Sequence, residues 1–241
     1  NNLQEFWAGT HPKMFSDHPN VVAAYPLDEE AWSGVADEVR DVSGNERHGM
    51  AVNGAQTQES FMGRYGVFDG VDDAIVVSNA ASLKLGGNLT IACWINPIAE
   101  PLGFVAEKNR NGEFGLYVNA QGSLVYQHGS SKTGFSWQAL QPDSMQTGKW
   151  QHLVITRDAS LRKLMCYLDG ASRSVNYPVS YPSDPASTPL GLILGKGHSG
   201  LGFSGFLKNV RLYNYPWTVE QVIQDMDPDQ DGLPTSWERM V

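Results

Sequence analysis

Apolar and polar residues alternate along most of this chain, in short runs broken by glycine, aspartate and asparagine. Such runs cover 21–27, 50–55, 89–97, 102–108, 113–119, 123–128, 135–140, 150–156, 161–168, 190–194 and 206–213. In the run from 89, Leu89, Ile91, Cys93 and Ile95 share one face, and Thr90, Ala92, Trp94 and Asn96 the other. That is the period of a strand; Pro97 ends it, having no N–H to give a ladder. Phe114, Leu116 and Val118 alternate with Glu113, Gly115, Tyr117 and Asn119, which predicts a sheet with one dry and one wet face. Over 65–78 the pattern is strand, tight acidic turn, strand, and reads as a hairpin, because Gly70 after Asp69 supplies a positive φ. Runs 150–156 and 161–168 make a second hairpin across Arg157, Asp158, Ala159 and Ser160. About twelve short, evenly spaced strands predict an all-β fold, a two-sheet antiparallel sandwich or jelly roll.

One helix is predicted. Thr218 is a good N-cap with Gln221 placed to complete a capping box, and Val219, Val222, Ile223 and Met226 form a stripe that would dock on the sandwich. The expected organisation is a lead-in over 1–20, the sandwich over 21–226, and an acidic loop over 227–241.

That last loop carries the sharpest motif. Asp227, Asp229 and Asp231, followed by Gly232, Leu233 and Glu238, match the calcium-loop pattern D-x-[DN]-x-[DN]-G-x5-E at every specified position. The three aspartates and the Leu233 carbonyl would each give an oxygen, and Glu238 would close the site with two. Only Arg239, Met240 and Val241 follow, too few for an exit helix, which predicts weak affinity or a truncated motif. In the 65–78 turn, Asp69, Asp72 and Asp73 repel one another unless solvent or a cation separates them, so Asp72 or Asp73 is a second candidate calcium ligand. Asp41 and Asn45, in a polar loop with Ser43 and Gly44, offer further oxygens.

Charge narrows the partners. There are 17 Lys+Arg against 26 Asp+Glu, a formal net charge of −9, which disfavours nucleic acid and anionic membranes and favours cations. No apolar run is long enough to span a bilayer. The chain opens Asn1-Asn2-Leu3 without a leader pattern, as a mature or excised protein would. Cys93 and Cys166 lie in apolar strands; they form no CxxC zinc motif, and either a disulfide or two buried thiols fits.

Other motifs carry less. Gly195, Gly197 and Gly200 match GxGxxG, but a strand and not a helix follows, which excludes a dinucleotide fingerprint. Asn88-Leu89-Thr90 is a glycosylation sequon opening a core strand, and is discounted. No GxSxG elbow or HExxH occurs, and His152, in a core strand, reads as structural. Glu107 and Glu113 are the only mid-sheet carboxylates that could serve glycoside hydrolysis, and a turn separates them. Tyr117, Tyr126 and Trp137 are candidate sugar platforms, with Glu107, Lys108 and His128 as polar neighbours; core packing is the competing reading for Tyr126 and Trp137.

The serial order of Tyr25-Pro26-Leu27-Asp28, Asp41-Val42-Ser43-Gly44-Asn45, Phe68-Asp69-Gly70, Trp150-Gln151-His152-Leu153, Tyr167-Leu168-Asp169-Gly170 and Val210-Arg211-Leu212-Tyr213-Asn214 resembles the laminin-G-like jelly rolls of the concanavalin A-like lectin/glucanase superfamily. The tail resembles the calcium loops of thrombospondin type 3 repeats and dockerin-like segments. The resemblance implies two curved antiparallel sheets and a structural calcium near one rim, with Asp41, the Asn45 region and Asp72 as ligands. Many relatives have an acidic residue where this chain has Lys208-Asn209. It also implies an extracellular or cell-surface module of a larger protein. The leading expectation is non-catalytic binding of a polysaccharide or glycan; the alternatives are protein adhesion without a sugar site, and a glycoside hydrolase or polysaccharide lyase.

Overall fold

The computed structural model describes residues 20–60, 63–81, 83, 85–98, 103–108, 112–129, 135–137 (as backbone), 145–180 and 189–227. Among these residues fifteen strands and one helix follow in order: β1 (Val21–Tyr25), β2 (Gly49–Val52), β3 (Gln56–Ser60), β4 (Gly63–Asp69), β5 (Ala74–Val77), β6 (Leu89–Pro97), β7 (Gly103–Lys108), β8 (Phe114–Val118), β9 (Leu124–His128), β10 (Phe135–Trp137), β11 (Gln151–Asp158), β12 (Lys163–Leu168), β13 (Ala171–Asn176), β14 (Leu192–Leu194), β15 (Ser204–Tyr213) and α1 (Val219–Met226). They build two antiparallel sheets. The eight-stranded sheet runs β13-β12-β11-β6-β15-β4-β3, with β1 also on β15; the seven-stranded sheet runs β10-β9-β8-β7-β14-β5-β2.

β15 serves two neighbours on one edge because it is long and bulged. Its first half pairs with β4 and its second half with β1. The register against β6 shifts between Lys208 and Arg211, where Asn209 takes φ 51° and its N–H reaches the Pro26 carbonyl.

The period-2 pattern places the core as expected. Leu89, Ile91, Cys93 and Ile95 of β6 meet Leu116, Leu124, Leu192 and Leu194 of the other sheet in one apolar layer. Both cysteines are free and buried in that layer, which decides for two thiols.

Three expectations change. The Asp69–Asp73 stretch is not a hairpin turn: β4 belongs to the eight-stranded sheet and β5 to the seven-stranded one, so the turn crosses between sheets at a rim. Two polar edge strands, β3 and β13, had no apolar run to announce them. The helix has the predicted capping box, but it buries Val222 and Asp225, leaving Val219 and Ile223 48% and 47% exposed. It covers a second, smaller apolar cluster of Ala92, Val154, Tyr167, Tyr213 and Trp217 on the outer face of the eight-stranded sheet. Among the described residues no helix is long and apolar enough to cross a membrane.

Candidate functional site

The groups nominated on β7, β8 and β9 are mostly interior. Tyr126, His128 and Lys108 are 0% exposed and Glu107 2%, so as folded none of them offers a face to a ligand. Each has a structural task. The Tyr126 hydroxyl accepts from the Arg157 guanidinium at 2.7 Å, and burial pushes its pKa up to about 12, against the opposing pull of Arg157. The His128 ring lies between those of Tyr126 and Tyr177, tilted to the first and edge-on to the second. Lys108 donates to Glu113 at 2.5 Å, and Glu113 also accepts from the Leu85 N–H. Glu107 accepts from the His198 N–H at 2.7 Å. Glu107 and Glu113 are thus held by donors, an arrangement that suits loop anchoring better than acid–base work. Tyr117 is half-buried on the outward face of its sheet, with its ring 4.8 Å from that of Phe104. Trp137 sits at the register position opposite Tyr126; its side chain lies outside the described residues.

A larger aromatic surface lies on the other sheet, where parity sends Tyr65 and Val67 of β4, Phe206 of β15 and Asn96 of β6 outward. Tyr65 touches Phe206 at 4.9 Å and Trp150 edge-on at 5.3 Å between ring centroids. Trp150 and Phe206 are half-buried, and Tyr65 is almost covered. Asn96 faces Phe206 across the ladder, and its side-chain oxygen is buried without a partner. The exposed Gln56 and Gln58 of β3 stand beside Val67 and Tyr65. A flat apolar surface edged by side-chain amides suits a ligand with an apolar face and a rim of hydroxyls. Tyr65, Phe206 and Trp150 each lie in a predicted strand run, and strand parity between β6, β15 and β4 is the signal that brings their rings to one face.

The calcium candidates separate. Asp41 is buried, and its oxygens accept from the backbone N–H groups of Ala24, Ser43 and Arg47 at 2.9–3.0 Å, so it folds its own loop. Asn45 donates its amide to the Val21 carbonyl at 2.9 Å. Asp72 instead joins Asp69 and Asp73, with one carboxylate oxygen of each within 4.8 Å of the others. Of the C-terminal loop only Asp227 is placed, buried as the helix C-cap; Asp229, Asp231, Leu233 and Glu238 lie outside the described residues.

The helix is fixed by an ionic cluster that the sequence pattern did not suggest. Asp225 takes both terminal nitrogens of the Arg211 guanidinium, Nη2 at 2.6 Å, and His152 Nε2 at 2.8 Å, all fully or nearly buried. Burial alone would raise the Asp225 carboxyl, but Arg211 and the His152 bond outweigh it and hold the group well below the usual carboxylate range. His152 is structural, as its strand position predicted.

The family model described as "Concanavalin A-like lectin/glucanases superfamily" (Laminin_G_3) matches residues 69–223, more than half of the chain. Among solved structures, the binding domain of Paraclostridial Mosquitocidal Protein 1 is similar at 16% identity and TM-score 0.67, over 87% of this chain and 51% of that one. Domain 4 of AbnA, an extracellular arabinanase from Geobacillus stearothermophilus solved with arabinotriose, is similar at 18% identity and TM-score 0.62, over 84% of this chain and 96% of that one. The binding domain of botulinum neurotoxin DC, solved with rat synaptotagmin II, is similar at 10% identity and TM-score 0.62, over 84% of this chain and 50% of that one. The chain therefore spans about half the length of both toxin binding domains. At these identities the likeness is one of fold. No curated protein sequence matches. The chain belongs to the Laminin_G_3 family of the concanavalin A-like lectin/glucanase superfamily.

Proposed function

We propose that this chain is an extracellular, non-catalytic module of a larger secreted or surface protein, that it binds a neutral glycan on the outer face of its eight-stranded sheet, and that its 227–238 loop takes calcium. The observation that carries the reading is the ring surface of Trp150, Phe206 and Tyr65 beside the exposed amides of Gln56 and Gln58. A net charge of −9 favours an uncharged saccharide over a sialylated or sulfated one. The arabinanase domain of the same fold, solved with arabinotriose, supports the ligand class. The bonds that hold Glu107 and Glu113 support the absence of catalysis.

A glycan array followed by calorimetry tests this. Trp150→Ala is expected to weaken the best saccharide about 30-fold, near 2 kcal/mol, with the melting temperature of the protein kept. Tyr117→Ala is the control on the opposite sheet: loss there with Trp150→Ala unaffected would move the site to the seven-stranded sheet. No saccharide bound by a folded protein would leave protein adhesion, a reading favoured by the toxin domain solved with synaptotagmin II.

A further inference from the structure

Resting on the glycan reading, we propose that Asn96 sets the specificity of that face: its side-chain oxygen takes a saccharide hydroxyl that enters between Phe206 and Trp150. The register places the three side by side. Phe206 of β15 opposes Asn96 of β6, and Gln151 of β11 opposes Ile95, so Trp150 is the next position along and flanks Asn96 on its other side. Neighbouring strands lie about 4.8 Å apart, which separates the two flanking positions by roughly 10 Å. Their ring centroids are only 6.2 Å apart. The rings therefore lean toward each other over Asn96. Tyr65, from the adjoining row, joins both, at 4.9 Å from Phe206 and 5.3 Å from Trp150. Asn96 is the polar floor beneath that aromatic roof.

Asn96 is 5% exposed, and its Oδ1 is buried without a hydrogen-bond partner. A buried acceptor with no donor costs the free protein stability, and a ligand that brings a donor removes that cost. Carboxylate, sulfate and phosphate groups bring acceptors. A sugar hydroxyl both donates and accepts, so it suits the amide whichever way round it sits. Lys208 opposes Trp94 in the adjoining row, but its ammonium lies by Gly63 at the start of β4, where a Cβ would be 3.0 Å from Nζ; Phe206 faces Val67, four residues on. The position is also rigid. β6 is paired on both sides, and the Gly148 N–H donates to the Pro97 carbonyl at 2.7 Å. The ladder is so close that a Cβ on Gly205 would lie 2.5 Å from the Asn96 carbonyl oxygen. An acceptor on such a strand is placed before the ligand arrives. Trp150 is half-buried and precedes the first residue of β11, so its ring is placed to swing aside and admit the hydroxyl.

Asn96→Leu and Asn96→Val each fill the position without a polar atom. Both are expected to melt about 2–6 °C above the wild type, because the unmet acceptor is gone. Calorimetry with arabinotriose, xylotriose, cellotriose and mannotriose then reads the site. The tightest of these is expected to bind either variant about 10-fold more weakly, the worth of one hydrogen bond. One monodeoxy derivative of it should lose about the same 10-fold on the wild type, yet bind Asn96→Leu as the parent sugar does. If Trp150→Ala weakens the saccharide while both Asn96 variants bind it as the wild type does, the glycan face stands and the role of Asn96 falls. Both variants melting below the wild type would show that the oxygen already has a donor in the free protein, and would also overturn the proposal. So would a folded wild type that binds none of the four sugars, and the glycan array then decides the wider reading by itself.

Discussion

Arg157 is fully buried, and its charge is answered by four carbonyls and a phenol. Nε donates to Gly87 O at 2.6 Å, Nη1 to Glu113 O and the Tyr126 hydroxyl at 2.8 and 2.7 Å, and Nη2 to Leu85 O and, at 2.6 Å, to Gly86 O. One side chain thus fixes the segment before β6 against the opposite sheet. The polar string from Arg157 to Ser160 reads as a loop, and the hairpin is there, yet Arg157 belongs to the strand. The signal was parity: Arg157 stands in phase with Leu153 and Ile155, on the inward face. Its planar fork is what the carbonyls need, so lysine is not a substitute. Both Arg157→Lys and Arg157→Met are expected to cost about 3 kcal/mol, read by urea unfolding, and to open the 85–88 segment to limited proteolysis in the folded protein. A variant within 0.5 kcal/mol of wild type, near the noise of surface substitutions, would show that those carbonyls are satisfied without the guanidinium.

Among the elements, α1 is the one whose seat depends on charge. Eight residues cannot hold a helix in water by propensity, so packing and the Asp225 bonds must. Trp217 lies 4.8 Å from Tyr213 and under the Arg211 guanidinium, so its assigned indole N–H resonance is a local probe. Asp225→Ala leaves Arg211 buried without its anion and is expected to cost about 3–5 kcal/mol, with the Trp217 indole resonance shifted toward its solvent-exposed position. Asp225 is held below its unfolded pKa of about 3.9, so the contribution of its charge is complete above that pH and is lost as pH falls below it. Asp225→Asn should remove that acid-side loss, and an acid transition of the Trp217 indole resonance that is unchanged by the substitution would show that other carboxylates set it. Element legibility followed the same logic throughout. Strands with a dry face were readable, since Leu, Ile and Val recur every second residue. Gln56–Ser60 and Ala171–Asn176 were not, because edge strands with mostly exposed side chains carry no such alternation. In the helix, Asp225 lies three residues from Val222, on the buried stripe, but its polarity hid it from an apolar template.

For the whole molecule, two sheets face each other across one continuous core, and the cysteines measure how tightly it closes. Cys93 opposes Leu153, and Cys166 opposes Ile155, so both thiols point from the eight-stranded sheet into the shared interior. Each is 0% exposed. Burial pushes the Cys93 thiol up to about 12 and the Cys166 thiol well above its ordinary value. Disulfide reagents attack the thiolate, and need access to it; here both are suppressed at neutral pH. The folded protein is therefore expected to release no thiol to Ellman's reagent over an hour at pH 8, and two equivalents once denaturant unfolds it. Reaction should follow global opening rather than local fraying, because the strands that carry the cysteines are each paired on both sides. A native burst of one equivalent would mean that one sheet edge opens independently, and the sandwich would then behave as two layers rather than one cooperative body.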